Sequence, residues 1–208
     1  MIKAILYDLD GVLVDATEWH YESLNESLRE ISGFEISRLE HFQTFNGLPT
    51  NKKLEILYEQ NKVKKEDFDA IWNLKQKKTN EIIEKTASID ETKKRLHEGT
   101  KSFKKICVTN SIRQTALLML EKTGQQLFMD YIISNEDVNN PKPDPEGYIK
   151  AIQYLKLQPD ECMIVEDSPK GIEAAKKSNA HVYEVKGYND VTLENVLNII
   201  NHFNMGTT

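Results

Sequence analysis

The sequence predicts an α/β fold, in which a core built on a parallel sheet carries a small inserted all-helical domain. Two observations support this prediction. Short apolar runs alternate with helical patterns along most of the chain, as in parallel sheets whose strands are joined by helices. Residues 15–85 break the alternation, because this interval contains only helical patterns.

Five short apolar runs are predicted to be buried strands, and helical patterns separate most of them. The predicted strands cover residues 3–7, 105–108, 131–133, 162–165 and 182–185. The predicted helices cover residues 113–123, 148–155 and 170–177. Two of these helices have marked starts, since Asp144-Pro145 and Ser168-Pro169 each place a capping side chain before a proline at the first helical position.

The inserted interval is predicted to form a separate helical domain over residues 15–85, while residues 1–14 and 86–208 form the core. Its helices are expected over residues 16–31, 52–58 and 66–83. The first of them shows helical spacing of four side chains: His20, Leu24, Leu28 and Ile31.

Composition and charge disfavour a nucleic-acid-binding, membrane or secreted protein. The 208 residues carry a formal net charge of −6, which disfavours nucleic acid as a partner. No apolar run approaches the ~18 residues of a membrane span, and the first apolar stretch is too short for a secretory signal. Cys107 and Cys162 lie in strand-like runs and are expected to be buried thiols rather than a disulfide. We therefore expect a cytoplasmic protein with no membrane partner. The sequence carries no signal of oligomeric state, so a monomer is the default expectation.

Two aspartates follow the first predicted strand. Asp8 and Asp10 can point the same way, because side chains alternate along a strand, while Leu9 points into the core. Two carboxylates held together repel each other, and a divalent cation is the usual remedy. The alternative is a solvated turn, since Asp10 precedes Gly11 and Asp-Gly is a common turn signal.

Polar groups follow four of the predicted strands or the loops after them. They are Asp8 with Asp10, Thr109-Asn110-Ser111, Lys142 between two prolines, and Glu166-Asp167. The carboxyl ends of parallel strands lie on one edge of the sheet, so these groups can converge on one pocket. Carboxylates suit Mg²⁺, and a lysine with backbone N–H groups offsets the charge of a phosphate ester. The set therefore indicates phosphoryl transfer.

Four segments in order, D-L-D-G-V, V-T-N-S, P-K-P-D-P and V-E-D-S-P-K-G, resemble the motifs of the haloacid dehalogenase superfamily. The resemblance covers nearly the whole chain. It is strongest to the branch of β-phosphoglucomutase and phosphoglycolate phosphatase, whose small helical cap is inserted where residues 15–85 lie. It implies a Rossmann-like catalytic core, Mg²⁺ as cofactor and a small phosphorylated metabolite as substrate.

The resemblance assigns the catalytic and metal-binding roles. Asp8 would be the nucleophile that forms an aspartyl-phosphate. Asp10 would protonate the leaving oxygen and then activate water. Asp8, the backbone carbonyl of Asp10 and Asp167 would hold Mg²⁺, with Glu166 close by. The alternative for Glu166 and Asp167 is a pair of exposed charges at a helix start.

The phosphoryl group would be held by Thr109, Asn110 and Lys142, and the resemblance also implies a cis peptide before Pro143. Thr109 and Asn110 could instead cap the following helix. Lys142 could be an ordinary loop lysine.

In the cap, the resemblance points to His20, Gly47, Thr50 and Lys75 as substrate-contacting residues. His20 follows D-A-T-E-W, the spacing of a mutase histidine that faces the active site, although a core histidine is an alternative. Gly47 and Thr50 lie in F-N-G-L-P-T, which resembles the substrate-specificity loop, although Thr50 could simply cap a helix. Lys75 matches a cap lysine of the mutase but could be solvated.

The segment F-N-G-L-P-T also bears on whether the chain is a phosphatase or a mutase. Asn46 and Thr50 stand where the mutase carries a lysine and an arginine for the distal phosphate, and threonine cannot form a bidentate clamp. Lys52 or Lys53 could compensate, but each is offset along the helix. We therefore expect a phosphatase, with a β-phosphoglucomutase-like mutase as the alternative, and a neutral or lightly charged leaving group such as a sugar, polyol or amino alcohol.

Other classes fit less well. Dehalogenation needs neither the acid at Asp10 nor the metal set. A phosphorylation-switched signalling domain also combines aspartates, a threonine and a lysine on a parallel sheet, but such domains are usually shorter, have no helical insertion and lack D-x-D at a strand end. A degenerate binding protein on this fold is disfavoured because all four motifs are intact.

Overall fold

The computed structural model describes residues 1–206, and the chain forms two compact units. Met1–Asp15 and the chain from Ser88 onward form one unit, and Ala16–Ala87 forms the other. Among residues 1–206, no helix is both long and apolar enough to cross a bilayer.

The first unit is built on a five-stranded parallel sheet with the strand order β3-β2-β1-β4-β5. The strands are β1 (Ala4–Tyr7), β2 (Lys104–Val108), β3 (Tyr131–Ile133), β4 (Cys162–Glu166) and β5 (His181–Glu184). In the register of the central strand, Leu6 lies opposite Ile106 on one side and Ile164 on the other. The predicted α/β fold class is confirmed.

The helices of the second unit come between β1 and β2 in the chain. They are α1 (Thr17–Ser32), α2 (Arg38–Glu40), α3 (Thr50–Glu59) and α4 (Phe68–Thr86), with a π-helical turn at His41–Phe45. The helices of the first unit are α5 (Glu91–Gly99), α6 (Arg113–Lys122), α7 (Glu146–Leu155), α8 (Pro169–Lys177) and α9 (Leu193–Met205). Single 3₁₀ turns occur at Lys65–Asp67, Gln126–Phe128, Asn135–Asp137, Pro159–Glu161 and Tyr188–Asp190.

The sheet core explains why the apolar runs become strands. β1 and β4 are buried along their whole length, as expected for central strands covered on both faces. Alternate residues of β1, β2 and β4 pack with Tyr148 and Ala151 of α7 and with Ala174 and Ala175 of α8 in one apolar cluster. This packing fixes the carboxyl ends of the strands.

The second unit has an apolar core of its own. Leu24 and Leu28 of α1 pack with Phe45, Leu54 of α3 and Ile71 of α4. Asn25 ties the turn after α1 to the helix, because its side chain exchanges two hydrogen bonds with the backbone of Ile36 (both 2.9 Å).

One of the two predicted helix starts is confirmed, the other differs from the expectation, and two helices of the first unit were not predicted. Ser168 caps α8 as predicted, since its Oγ accepts from the N–H of Gly171 at 3.1 Å. Pro145 is not the first helical residue but the N-cap of α7, and Asp144 accepts from the N–H of Glu146 (2.9 Å). α5 and α9 were not predicted. The buried face of α5 is Lys93, Leu96 and His97, so it lacks an apolar stripe.

Candidate active site

Hydrogen bonds between neighbouring strands place three of the predicted residues at the carboxyl edge of the sheet. Asp8 directly follows β1, and its N–H donates to the carbonyl of Val165 at 3.0 Å. Thr109 directly follows β2, and its N–H donates to the carbonyl of Ile133 at 2.9 Å. Glu166 is the last residue of β4. The backbone of each is therefore positioned by a neighbouring strand rather than by a loop.

A buried ion-pair cluster lies at this edge. Lys142 Nζ lies 2.7 Å from Asp8 Oδ1 and 2.5 Å from Glu166 Oε1, and it donates to the carbonyl of Val108 at 2.8 Å. The side chain of Lys142 is 7% exposed, that of Asp8 10%, and that of Glu166 is fully buried. Lys142 is therefore not an ordinary loop lysine, and the cluster excludes the solvated-turn interpretation of Asp8.

Hydrogen bonds to both carboxylate oxygens hold Glu166 in place. Tyr148 Oη donates to Oε1 at 2.7 Å, and Oε1 is also the oxygen that meets Lys142. Oε2 accepts from the backbone N–H groups of Asp167 (3.1 Å) and Ser168 (3.3 Å), and from the Ser168 hydroxyl (3.3 Å). These two N–H groups lie at the start of α8. Glu166 therefore presents a fixed negative charge to the lysine.

Asp10 is anchored from the loop after β2. Ser111 Oγ lies 2.9 Å from Asp10 Oδ2, and Thr109 Oγ1 lies 3.4 Å from the same oxygen. Thr109 Oγ1 also accepts from the N–H of Ser111 at 3.0 Å. The N-cap of α6 is Ile112 and makes no side-chain cap hydrogen bond. The alternative that Thr109 or Asn110 caps this helix is therefore wrong.

Asn110 joins two loops of the site. Its side-chain amide donates to the carbonyl of Lys142 (3.2 Å) and accepts from the N–H of Lys142 (3.1 Å). The peptide bond between Lys142 and Pro143 is cis, as the resemblance implied. Asn110 therefore sets the position of the loop that carries the lysine.

Burial and charge shift the pKa values of the cluster. Burial, together with the negative charge of Glu166, raises the pKa of Asp8 well above its ordinary value, although Lys142 opposes the rise. Burial alone would lower the pKa of Lys142, but the charges of Asp8 and Glu166 outweigh it and raise that pKa. Burial, Glu166 and Asp10 raise the pKa of Asp167 to about 7. The edge therefore holds more negative charge than Lys142 neutralises.

The donor set at this edge fits a divalent cation. One oxygen from each of Asp8, Glu166 and Asp167 lies within 4.8 Å of the others. Asp167 Oδ1 is buried and, within the described part of the chain, accepts no hydrogen bond. A Cβ on Gly11, which has a φ of +84°, would overlap the Asp167 carboxylate, so only glycine permits this approach. A buried carboxylate oxygen without a donor is what an oxygen-seeking cation would satisfy.

The helical unit carries the four predicted cap residues. Lys75 on α4 is buried, so the interpretation as a solvated lysine is wrong, and its Nζ lies 3.2 Å from Nδ1 of the half-buried His20 on α1. Thr50 is the first residue of α3 rather than its cap, and its Oγ1 accepts from Gln76 Nε2 at 3.4 Å. Gly47 has a φ of +73°, a conformation that favours glycine.

Comparison with known proteins decides the family. Residues 5–185 match the haloacid dehalogenase-like hydrolases. The chain belongs to this family. It is 27% identical over 180 residues to a phosphorylated carbohydrates phosphatase of Thermotoga maritima, covering 85% of this chain and 82% of that protein. It is 28% identical over 202 residues to a phosphoglycolate phosphatase of Nitrosospira multiformis, covering 91% of this chain and 86% of that protein.

The fold of this haloacid dehalogenase-like chain is also that of a solved mutase. A crystal structure of β-phosphoglucomutase from Clostridium difficile superposes with a TM-score of 0.84 at 22% identity, covering 99% of this chain and all of that one. The predicted family and the prediction of a phosphatase-type hydrolase are confirmed.

Tyr148 and His41 escaped the sequence analysis, and Ser111 and Lys53, which it named, have surroundings that it did not predict. Ser111 and Tyr148 contact Asp10 and Glu166, but neither contact is visible in a local motif. Lys53 and His41 are buried in the helical unit. The side-chain direction of Lys53 could have been inferred from its helical spacing to Thr50 and Leu57, whereas no sequence signal marks the π-helical turn that carries His41.

Proposed function

We propose that the chain is a Mg²⁺-dependent phosphatase that hydrolyses a small phosphomonoester through an aspartyl-phosphate on Asp8. The observation that supports this best is the contact of Asp8 Oδ1 with Lys142 Nζ, beside the unpartnered oxygen of Asp167. A carboxylate held against a fixed cation can approach an anionic phosphoryl group, since the local charge is partly neutralised.

In the first step, an Asp8 carboxylate oxygen attacks phosphorus and the bond between phosphorus and the leaving oxygen breaks. Asp10, as the carboxylic acid, gives its proton to that oxygen. In the second step, water attacks phosphorus while the Asp10 carboxylate takes a proton from it, and the bond to Asp8 breaks. Inorganic phosphate leaves, and both carboxyl groups return to their starting states. The hydroxyls of Ser111 and Thr109 hold Asp10 for these transfers.

The remaining residues of the edge would bind the phosphoryl group and the metal ion. Lys142, Thr109 and the backbone N–H groups around Asn110 would hold the phosphoryl oxygens. Asp8, the Asp10 carbonyl and Asp167 would hold Mg²⁺, which when bound offsets the negative charge of those oxygens. Glu166 is better suited to holding Lys142 than to direct ligation, because both of its oxygens already accept hydrogen bonds.

We further propose that residues 15–85 act as a cap domain that supplies the groups for the leaving alcohol, a sugar, polyol or amino alcohol. His20, Gly47, Thr50 and Lys75 are the candidates. A cytoplasmic location is supported by Cys107 and Cys162, which are both buried and free, since disulfides are rare in reducing compartments.

The test uses 4-nitrophenyl phosphate and a panel of small phosphomonoesters. Wild type should release phosphate with Mg²⁺ and lose this activity with excess EDTA. Asp8→Asn should reduce kcat by at least about 10³-fold, since a nucleophile and its covalent route are lost. Asp160→Asn, the same change at an exposed position of the first unit, should have no effect.

Two results would overturn the proposal. Undiminished release by Asp8→Asn would remove the assigned nucleophile. Isomerisation of glucose 1-phosphate at a rate rivalling its hydrolysis would make the chain a mutase.

A further inference from the structure

The Asp10 turn, residues 9–14, is closed by hydrogen bonds of its own backbone. The carbonyl of Leu9 accepts from the N–H groups of Leu13 and Val14, both at 2.9 Å. The side chains of these three residues are buried, with at most 2% exposed. Bonds within the turn fix its shape, whereas its position in the first unit depends on contacts from other elements.

One such contact comes from Gln125, which follows α6 in the chain. Its side-chain Nε2 donates to the carbonyl of Leu13 and to Thr123 Oγ1, both at 2.9 Å. Thr123 can accept because its own hydroxyl donates to the carbonyl of Met119 at 2.7 Å. Gln125 is fully buried. Both amide hydrogens are therefore used, and one of them ties the Asp10 turn to the segment after α6.

His97 on α5 determines which way the Gln125 amide points. Its Nε2 lies 3.0 Å from Gln125 Oε1, and among the described residues its Nδ1 has no hydrogen-bond partner. Burial lowers the pKa of His97 to about 4, so the ring is neutral near pH 7 and carries its one proton on Nε2, the nitrogen that faces an acceptor. The reverse amide orientation would place the Gln125 oxygen against the carbonyl oxygen of Leu13, and neither atom can donate.

Two aromatic rings hold the histidine in place. Phe128 stacks on His97 at a centroid distance of 5.1 Å, and Tyr7 meets it edge-on at 5.9 Å. Tyr7 is the last residue of β1 and is fully buried, as is His97. Hydrogen bonds in a water-free interior are stronger than at the surface, and a connected set of them makes its surroundings rigid. The position of the Leu13 carbonyl is therefore set by the packed core of the first unit.

We propose that Gln125 is a positioning residue for acid–base catalysis by Asp10 and that it acts through the carbonyl of Leu13. His97 in turn holds Gln125 in the orientation that this contact needs. The inference rests on the proposed function, in which Asp10 protonates the leaving oxygen. Proton transfer requires the donor within hydrogen-bond reach of that oxygen, and a misplacement of about 1 Å can lower the rate about 10²-fold. The two hydroxyls of the loop after β2 hold the Asp10 carboxylate, whereas Gln125 holds the backbone that carries it.

The kinetic test compares two aryl phosphates of similar size. Phenol is a poorer leaving group than 4-nitrophenol, so its departure depends more on a proton from the acid. Gln125→Met keeps the length of the side chain and removes the hydrogen bond to Leu13. It should lower kcat/KM about tenfold for phenyl phosphate and less than about threefold for 4-nitrophenyl phosphate, because kcat/KM includes the step in which the leaving oxygen departs. Equal losses on both substrates, or no loss on either, would overturn the inference.

Two further variants separate positioning from stability. His97→Phe keeps a ring against Phe128 and removes the donor to Gln125, so it should lower kcat/KM for phenyl phosphate about threefold. If Gln125→Met does not fold, a wild-type substrate ratio in His97→Phe overturns the inference. Ser178→Ala removes a buried hydroxyl that donates to the carbonyl of Ala175 at 2.6 Å, just after α8, and should keep the wild-type ratio. A selective loss in Ser178→Ala would mean that any loosening of the unit lowers the rate, and the inference would be wrong.

Amide hydrogen exchange separates this inference from the proposed function, because it needs no substrate. In Gln125→Met, the N–H groups of Leu13 and Val14 should exchange at least about tenfold faster relative to the amides of β4, whose exchange reports global unfolding. In Ser178→Ala this ratio should stay at the wild-type value. An unchanged ratio in Gln125→Met would overturn the inference even in an active phosphatase. If wild type hydrolyses neither substrate and the exchange still accelerates, the proposed function is wrong, and the anchoring of the turn by Gln125 is retained.

Discussion

At the scale of single residues, the charge on Lys142 depends on the groups that surround it. Its Nζ contacts Asp8 and Glu166 and lies 4.8 Å from the ring centroid of Tyr148. Tyr148 is fully buried and also donates to Glu166. A buried ion pair is stable only when the remaining hydrogen-bonding capacity is met. Tyr148 is therefore a positioning residue for the lysine, although it does not reach the nucleophile.

Tyr148→Phe tests this role. The change keeps the ring and removes one donor to Glu166, so we expect a loss of about 1–2 kcal/mol in unfolding free energy. A less firmly held Lys142 should lower kcat by about three- to tenfold with little change in KM. Urea unfolding and steady-state kinetics measure both. Tyr154→Phe, at an exposed tyrosine stacked on Tyr131, is the matched control. A stability loss with unchanged kcat would show that Tyr148 is structural only.

The same residues show what sequence can reveal about a site. Asp8, Thr109, Lys142 and Asp167 were predicted because each lies in a short motif at a strand end or in the loop that follows a strand. Tyr148 was not, because its role depends on Glu166, 18 positions away in the chain and brought close by packing. Side-chain direction and partner choice are tertiary properties, so local patterns do not contain them.

At the scale of elements, the start of α8 acts as a support for Glu166. Ser168 caps the helix, and the first N–H groups point at the carboxylate, as a helix N-terminus favours. Gly171 completes the arrangement, since a Cβ there would overlap the Glu166 carboxyl group. A glycine inside a helix ordinarily weakens it, so its presence here indicates a steric requirement.

Gly171→Ala should therefore have the opposite effect to that expected from helix propensity. Propensity alone predicts a gain of about 1 kcal/mol. We expect a loss of at least about 2 kcal/mol, because the new methyl group displaces a buried carboxylate that pairs with a lysine. Chemical unfolding measures the sign. Gly206→Ala, whose Cβ would meet only the His202 carbonyl at 3.6 Å, should be close to neutral. A stabilised Gly171→Ala variant would contradict the steric explanation.

The strands were predicted better than the helices. All five lie within one residue of their predicted bounds. Burial explains this for β1 and β4, which are buried along their whole length, whereas the edge strand β5 has no buried residue. α5 was missed because its inward side chains include Lys93, which donates to the carbonyls of Tyr188 and Val191 (2.8 and 2.9 Å). A helix that buries polar groups against backbone carbonyls has no apolar periodicity to detect.

At the scale of the whole molecule, the carboxylates of the site lower the free energy of unfolding at high pH. Asp8 and Asp167 both have raised pKa values in the folded state, whereas in the unfolded chain they ionise at the ordinary pKa of an aspartate. Between the unfolded pKa near 4 and the folded value of about 7 for Asp167, the folded protein holds more protons. Stability should therefore fall as pH rises through this window.

Asp167→Asn isolates this contribution from other titrating groups. His41 and His97 have lowered pKa values, about 3 and about 4, and so contribute the opposite trend, but they are common to both proteins. Without metal, the unfolding free energy of the variant relative to wild type should increase by about 2–3 kcal/mol from pH 5 to pH 8, because about two units of that range lie below the folded pKa of Asp167. Thermal or urea unfolding in EDTA measures this difference. At pH 8, millimolar Mg²⁺ should raise the Tm of wild type and leave that of Asp167→Asn nearly unchanged. A difference independent of pH would show that the pKa of Asp167 is not raised in the folded protein. An equal Mg²⁺ response in both proteins would show that Asp167 is not a metal ligand.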